Sequence, residues 1–284
     1  MINSDSSKAE EKSQLTFNLD GKKITVTTFK RLKILGLDRP IGNRETDMPF
    51  QLLRDEDAQY EFAAFTPENF GNLENPPLIV FLHGSGERGW DPGLPLKGNA
   101  HVFETLQLPA AVIFPQCDLN HRAFYGEMEK RVLRCINVAV GQLAANPQRI
   151  FLAGYSMGGS SDLWIAAKHP QKFKGMVCIA PGITWMGEEA PPHLPAEDNE
   201  LFESMFVASN RTANIAKQVV NMPIWFLQGT DDEPCPIDET RRLVEELRRL
   251  GTQPIVTEYE GVDHDSLTMG LEEEGLFDWL LKLP

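Results

Sequence analysis

Six short apolar runs between residues 78 and 259 constrain the fold of this chain more than any other feature. They are LIVFL at 78, AAVIF at 110, RIFLAG at 149, MVCIA at 176, PIWFLQ at 223 and PIVTEY at 254. Continuous runs of this length are typical of parallel strands that are buried on both faces. Apolar residues at helical spacing follow several of them, as in residues 132–143, 243–250 and 271–283. The sequence therefore predicts an α/β fold in which helices flank a mostly parallel sheet.

The N-terminal part of the chain has a different pattern. Residues 1–13 are polar, and we expect them to form a disordered tail. The segment QLTFNLDGKKITVTTF then alternates apolar and polar residues around Asp20-Gly21, a dipeptide that favours the turn of a β-hairpin. With the strand-like YEFAAF, this predicts an N-terminal antiparallel β extension over residues 14–67. No linker-like composition divides the chain, so residues 14–284 are predicted to form one domain.

A long segment from residue 185 to residue 213 interrupts the alternation of strands and helices. It contains GEEAPPHLPAEDNE followed by the amphipathic LFESMF, and it is longer than an ordinary connection in an α/β domain. Such segments often cover a functional site, although a passive insertion would have the same length. The sequence therefore predicts a possible lid and leaves its role open.

The strongest local motif is the run RIFLAGYSMGGSSDLWIAA, in which an apolar strand leads through a sharp turn into a helix. Gly154, Ser156 and Gly158 form a GxSxG sequence in the strand, turn and helix context of a nucleophile elbow. The turn needs small residues two positions on either side of the serine, and it lifts the serine hydroxyl above the sheet. We therefore predict that Ser156 is a catalytic nucleophile.

An oxyanion formed by attack of this serine needs paired hydrogen-bond donors. The amide of Met157 is the first candidate, because it opens the helix that follows the elbow. The second lies in LIVFLHGSGERG, where a buried strand ends at a small-residue loop similar to the HGGG-type loops of esterases. We predict the Ser85 amide as this donor, with the Gly86 amide as the alternative. The loop lacks the spacing and the lysine of a phosphate-binding P-loop.

The base and the acid should follow the nucleophile along the chain in the order serine, acid, histidine. His264 lies in the loop after the last apolar run and is the predicted base. His169 lies too close to the elbow and is expected to interact with the end of its helix, and His193 lies in the possible lid. The acid should follow the run PIWFLQ, where spacing alone leaves both Asp231 and Asp232 open.

Charge and composition exclude several classes of partner. The formal net charge of −14 argues against nucleic acid and against an anionic membrane surface, because both attract basic proteins. No run of about 18 apolar residues predicts a membrane span. The four cysteines form no pattern typical of a metal site, so no metal is expected. The first residues do not resemble a signal peptide, which weakly favours a cytoplasmic location.

The chain resembles the α/β-hydrolases, in the branch of the polyhydroxybutyrate depolymerase-like and feruloyl esterase-like proteins, which also includes proteins described as peptidases and phospholipase/carboxylesterases. The resemblance rests on LIVFLHGSGERG, VIFPQC, PQRIFLAGYSMGG, WFLQGTDDEPCP and YEGVDH. In that family the acid lies three residues after the glycine of a GxxDxxxP segment, which here selects Asp232. The sequence departs from the family at Gln228, where a histidine is common, at Trp164, which is displaced by one position, and in its longer insertion.

The resemblance implies a serine carboxylesterase that hydrolyses small-molecule esters, with short acyl or aryl and cinnamoyl groups, through an acyl-enzyme and without an organic cofactor. A serine peptidase or an acyltransferase would use the same three side chains and is the alternative. A binding module that retains the elbow without catalysis is a third hypothesis. The sequence leaves the oligomeric state open.

Overall fold

The computed structural model describes residues 12–19, 22–29, 50–96, 100–106, 108–184, 191 and 194–284. Its first elements are β1 (Lys12–Leu19) and β2 (Lys22–Phe29), which pair as an antiparallel hairpin. Strand β1 starts within the stretch expected to be a disordered tail, and residues 1–11 of that stretch lie outside the described residues. The predicted turn at Asp20-Gly21 also lies outside them.

A sheet of eight strands forms the centre of the molecule. The strands are β3 (Phe50–Asp55), β4 (Tyr60–Phe65), β5 (Leu78–Leu82), β6 (Ala111–Phe114), β7 (Ile150–Tyr155), β8 (Met176–Ile179), β9 (Ile224–Gly229) and β10 (Ile255–Tyr259). Their order is β10-β9-β8-β7-β5-β6-β4-β3. The strands from β10 to β6 are parallel, and β4 and β3 are antiparallel. All six apolar runs are therefore strands, and the predicted α/β-hydrolase architecture is confirmed.

The predicted N-terminal extension divides into two parts in the structure. The hairpin of β1 and β2 is a separate two-stranded sheet, whereas β3 and β4 complete one edge of the central sheet. YEFAAF is thus a strand, as expected, but it belongs to the central sheet. Its residues 62–65 are buried there.

The helices are α1 (Ala100–Thr105), α2 (Glu127–Leu143), α3 (Met157–Lys168), α4 (Asn199–Phe202), α5 (Arg211–Gln218), α6 (Ile237–Arg249), α7 (Leu267–Leu271) and α8 (Leu276–Lys282). The C-terminal segment, expected as one amphipathic stretch, is divided, because Gly275 adopts a φ of 79° immediately before α8. Among the helices that the structure describes, none has the length and apolar character needed to cross a membrane.

The sheet separates two apolar cores, and β5 contributes to both. Leu78, Val80 and Leu82 point into the core that contains α2 and α3, whereas Ile79 and Phe81 point into the core on the other face. Burial of alternate residues on opposite faces explains why the strand sequence is continuously apolar. The edge strand β10 is only partly buried, which explains its more polar sequence.

The described part of the 185–213 insertion packs onto the helices next to the elbow. It contains a 3-10 turn, the short helix α4 and a π-helical turn at Glu203–Val207. The Phe202 ring lies 5.3 Å from that of Tyr125 and 6.0 Å from that of Trp164, measured between centroids. Residues 185–190, 192 and 193 lie outside the described residues, so the lid hypothesis stays a prediction.

Candidate active site

The turn between β7 and α3 has the geometry expected of a nucleophile elbow. Ser156 adopts φ 54° and ψ −114°. This backbone conformation is strained for any residue that has a side chain. A Cβ atom on Gly158 would lie 1.8 Å from the carbonyl oxygen of Leu82, so only glycine fits where the start of α3 meets the end of β5. The strained turn is thus held between two buried elements.

Three predicted side chains meet at this turn, although they come from distant parts of the chain. His264 Nε2 lies 2.9 Å from Ser156 Oγ. His264 Nδ1 lies 3.0 Å from both carboxylate oxygens of Asp232. Because an ionised carboxylate can only accept hydrogen bonds, Nδ1 carries the hydrogen and Nε2 is free to accept the serine hydroxyl. The arrangement suits transfer of the serine proton to the imidazole.

The structure separates the two aspartates that spacing alone left open. Asp232 is 4% exposed and faces His264, and its Oδ1 also accepts the backbone N–H of Cys235 at 2.8 Å. Asp231 is exposed, and its side chain accepts a hydrogen bond from the neighbouring Thr230 hydroxyl at 3.1 Å. Only Asp232 is therefore in position to orient the imidazole.

Tyr155 and Gly229 hold the loop that carries His264. The Tyr155 hydroxyl donates to the carbonyl of His264 at 2.9 Å, and the two rings stack with their centroids 5.3 Å apart. A Cβ atom on Gly229 would lie 2.1 Å from the carbonyl oxygen of Val262, so the end of β9 and this loop are in direct contact. Both contacts fix the height of the imidazole above the sheet.

The two predicted oxyanion donors lie at the first positions of helical turns. Met157 is the first residue of α3, and Ser85 opens a 3-10 turn over Ser85–Glu87. The first N–H groups of a helix have no acceptor within the helix and can donate to a ligand. The loop with Ser85 and the alternative Gly86 begins where β5 meets the elbow. Their role as donors stays a prediction.

His83 holds the first peptide of this loop. Its Nδ1 donates to the carbonyl of Gly84 at 2.7 Å, and its Nε2 accepts the backbone N–H of Cys117 at 3.1 Å. Burial lowers the pKa of His83 to about 4, so the ring is neutral at neutral pH. The peptide between Gly84 and Ser85 is planar, so the bond to Gly84 also fixes the direction of the Ser85 N–H.

The other histidines considered as bases lie elsewhere. His169 directly follows α3, and its Nε2 lies 2.7 Å from the buried carboxylate of Glu129. His169 thus hydrogen-bonds a side chain of α2, and its expected interaction with the end of the helix stays a prediction. His193 lies outside the described residues.

Three potential metal ligands are near one another in this site. One ligand atom each from Asp232, Cys235 and His264 lies within 4.8 Å of the others. Asp232 and His264 already bond to each other. Burial raises the pKa of the Cys235 thiol to about 12, and this disfavours the thiolate that binds metals. The hydrogen-bonded arrangement is therefore better suited to proton transfer than to a metal.

Gln228 and Thr240 also belong to the site, and sequence reasoning did not identify them. Gln228, at the end of β9, donates to Asp232 Oδ2 at 3.1 Å, and Thr240 in α6 donates to Gln228 Oε1 at 2.6 Å. Gln228 was visible in the sequence as a departure from the family pattern. Tyr155 was visible only as the variable residue of the GxSxG motif.

Comparison with known proteins gives a family match that includes most of these elements. The model of the prolyl oligopeptidase family matches residues 127–283, which is more than half of the chain. The matched segment contains the elbow and the loops that carry Asp232 and His264.

Individual relatives are more distant. The biotin biosynthesis bifunctional protein BioHC of Cellvibrio japonicus is 25% identical over 154 residues, which are 48% of this chain and 25% of that protein. A thermostable esterase of known structure is 25% identical with a TM-score of 0.59, and the match covers 81% of this chain and 61% of the esterase. A ferulic acid esterase is 14% identical with a TM-score of 0.61 and covers 82% of this chain and 97% of its own. This chain thus spans about a quarter of the curated relative and less than two thirds of the thermostable esterase.

Proposed function

Since this chain belongs to the prolyl oligopeptidase family of hydrolases, we propose that it is a serine hydrolase that cleaves carboxylic esters through an acyl-enzyme. The observation that carries the proposal is the continuous contact from Asp232 through His264 to Ser156, with distances of 3.0 and 2.9 Å. The likeness to the thermostable esterase favours an ester as the substrate. We propose small esters with short acyl or cinnamoyl groups.

The proposed reaction uses each side chain for one task. The Ser156 hydroxyl attacks the ester carbonyl and gives its proton to His264 Nε2, while the carbonyl oxygen takes up negative charge beside the Met157 and Ser85 amides. The imidazolium then protonates the leaving alcohol, and the acyl group stays on Ser156. Water attacks the acyl-enzyme with His264 again as the base, which releases the acid and restores the serine. Asp232 keeps the imidazole in the correct tautomer throughout.

The first prediction concerns the nucleophile and the choice of acid. Replacing Ser156 with Ala should remove labelling by a fluorophosphonate probe and lower kcat for p-nitrophenyl butyrate at least roughly 10³-fold. Asp232→Asn should lower kcat by roughly 10² to 10⁴-fold, because it leaves His264 with a partner that favours the wrong tautomer. Asp231→Asn is the matched control and should stay within about threefold of wild type. Equal losses in the two aspartate variants would contradict the assignment.

A peptidase is the second candidate, and the family match favours it specifically. The two activities differ in the leaving group, so the test compares a p-nitrophenyl ester and a p-nitroanilide that carry the same acyl group. A peptidase should cleave a peptide p-nitroanilide with a kcat/KM close to that of the ester. An esterase should cleave the ester roughly 10³-fold faster or more, since an amine is a poorer leaving group and needs protonation by a well-placed acid.

A further inference from the structure

We propose that Gln228 is a positioning residue for catalysis, whose side-chain amide holds the Asp232 carboxylate in the orientation that His264 requires. The inference rests on the proposed function, because it assigns Gln228 a role within the same three-residue site. It adds a fourth and a fifth side chain, Gln228 and Thr240, to the groups on which turnover depends.

The Asp232 carboxylate is buried and is held entirely by donors. Its Oδ1 accepts the Cys235 N–H at 2.8 Å, its Oδ2 accepts the Gln228 amide at 3.1 Å, and both oxygens lie 3.0 Å from His264 Nδ1. The side chain of Asp232 has no exposed area. No arginine or lysine pairs with it among the residues that the structure describes. The carboxylate is therefore held by hydrogen bonds from His264 and from the neutral donors of Cys235 and Gln228.

The orientation of the Gln228 amide is fixed by its other partners. Its Nε2 also donates to the carbonyl of Cys235, and its Oε1 accepts the Thr240 hydroxyl at 2.6 Å. A rotated amide would direct its oxygen at both the Asp232 carboxylate and the Cys235 carbonyl, which are acceptors themselves. Gln228 and Thr240 are each 1% exposed, so water cannot replace a lost partner easily. The two acceptors thus set which end of the amide meets Asp232, and the Thr240 hydroxyl in α6 satisfies the amide oxygen at the other end.

Through Gln228, strand β9, helix α6 and the loop between them are all connected to Oδ2 of Asp232. Gln228 is the last residue but one of β9, Thr240 lies one turn into α6, and Cys235 lies in the loop between them. The amide bridges the start and the end of the loop that carries Asp232. Without the bridge, the carboxylate could rotate, and Oδ2 would keep only His264 as its donor. Both changes would weaken the alignment of the imidazole with Ser156.

The charged and titratable neighbours of Asp232 determine whether the pH dependence of activity can test the role of Gln228. His264 contacts Asp232 directly. The charge of Asp232 acts on the hydroxyl of Tyr155 and on the thiol of Cys235. Tyr155 also lies in the field of Asp265 and Glu87. Burial raises the pKa values of Tyr155 and Cys235, so neither group loses its proton at neutral pH. A second carboxyl introduced at residue 228 would therefore be a new titrating group at this position.

The test compares Gln228→Leu and Gln228→Glu with wild type, using p-nitrophenyl butyrate between pH 5.5 and 9. Gln228→Leu cannot donate at any pH, and we expect kcat to fall roughly 10- to 100-fold with KM changed less than about twofold. Gln228→Glu can donate while its carboxyl is protonated, and two carboxyls in buried contact do not both ionise easily. Its activity relative to wild type should therefore fall roughly tenfold or more from the acidic to the alkaline end of the range.

Thr240 supplies a second test that leaves Gln228 intact. Thr240→Val removes the hydroxyl that anchors the amide oxygen of Gln228 while keeping the shape of the side chain, and kcat should fall roughly 3- to 10-fold. Thr240→Ser keeps the hydroxyl and should restore kcat to within about twofold of wild type. Gln142→Glu, on the exposed side of α2, is the control for a surface charge change and should match wild type at every pH.

The outcomes separate this inference from the proposed function. If Ser156→Ala keeps its activity, the proposed function fails, whatever the Gln228 variants do. If Ser156→Ala is inactive but Gln228→Leu and Thr240→Val keep the wild-type kcat, only the positioning role of Gln228 is overturned. A Gln228→Glu variant with a constant activity ratio across the pH range, or variants that lower only the melting temperature, would also overturn it.

Discussion

The side chain of Asp162 lies buried directly beneath the elbow. A Cβ atom on Gly154 would lie 2.5 Å from its Oδ2, and neither of its oxygens has a hydrogen-bond partner among the described residues. Burial raises the pKa of this carboxyl well above its usual range, so folding favours the neutral acid. The proposed reaction does not use this carboxyl. Its burial without a hydrogen-bond partner therefore affects only the stability of the fold.

The sign of this effect gives a prediction for stability and pH. Because the folded protein holds the Asp162 proton more tightly than the unfolded chain, its contribution to stability is largest in acid and is lost as pH rises toward the folded pKa. Asp162→Asn keeps the shape but cannot ionise. Between the pKa of this carboxyl in the unfolded chain and its pKa in the folded protein, the free energy of unfolding of Asp162→Asn relative to wild type should rise by up to about 1.4 kcal/mol per pH unit. Urea unfolding from pH 4.5 to 8.5 measures the difference.

The control for this prediction is Glu68→Gln, which also removes a carboxyl but lies exposed after β4. Its unfolding free energy should differ from wild type by less than about 0.5 kcal/mol. A difference for Asp162→Asn that stayed constant from pH 4.5 to 8.5 would mean that the buried carboxyl does not hold its proton.

At the scale of single residues, the sequence predicted those whose chemistry imposes a local sequence pattern. Ser156 was predictable because a sharp turn needs Gly154 and Gly158 around it. His264 was predictable from chain order, whereas Asp232 and Asp231 have the same chemistry and adjacent positions, so only the family pattern distinguished them. Gln228 could not be assigned, because its role arises from Thr240 and Cys235, contacts that exist only after α6 packs beside β9.

At the scale of elements, a partly buried lysine and two buried carboxylates connect α3 to the inserted segment. Lys168, at the end of α3, lies 2.7 Å from Asp198 in the insertion and 3.1 Å from Glu129 in α2. Although burial opposes it, hydrogen bonds from His169 and Trp164 and the nearby Lys168 hold the pKa of Glu129 below its usual range. The elbow helix and the insertion are thus joined by a lysine between two carboxylates.

Removing this lysine should destabilise the fold and loosen the insertion. Lys168→Met keeps the apolar stem but leaves two largely buried carboxylates without their cation, so we expect a loss of roughly 1 to 3 kcal/mol in unfolding free energy. Adding Asp198→Asn should recover part of the loss, because one of the uncompensated charges is gone. Urea unfolding measures both, and hydrogen exchange over 196–207 reports the insertion.

Lys130→Met is the matched control, since its ion pair with Glu127 lies on the exposed side of α2. It should change stability by less than about 0.5 kcal/mol. If Lys168→Met changed stability as little as this control and left exchange unaltered, the ion pairs of Lys168 would not help to hold the insertion.

The prediction of helices and strands succeeded where burial determines the sequence pattern. It failed where a single backbone angle determines where an element begins or ends. The six apolar runs are strands because both faces of the sheet are covered. The C-terminal segment has continuous helical periodicity, yet Gly275 with positive φ divides it, and periodicity does not contain that information. Similarly, YEFAAF was recognisable as a strand, but its partner β6 lies about fifty residues away, so its place in the central sheet was not predictable.

At the scale of the whole molecule, the negative charge extends to the rim of the sheet where the site lies. The formal net charge is −14, and Asp231, Glu233, Asp263 and Asp265 are exposed on the two loops that carry Asp232 and His264. Burial raises the pKa of the Tyr155 hydroxyl, and the carboxylates of Asp265 and Glu87 add to the rise. A substrate that approaches this rim therefore meets a negative potential.

This potential should select neutral esters over anionic ones, and salt should weaken the selection. For p-nitrophenyl butyrate and p-nitrophenyl hemisuccinate, whose acyl chains have equal length, we expect a kcat/KM ratio of about 10 or more near 10 mM ionic strength. The ratio should fall severalfold by 0.5 M, because the screening length shrinks from about 30 Å to a few ångströms. Asp231→Lys with Glu233→Lys should lower the ratio at low salt. The same charge change at Glu56 and Asp57, in the β3–β4 turn at the opposite edge of the sheet, should lower it less. A ratio that did not depend on salt would place the discrimination in contacts within the pocket.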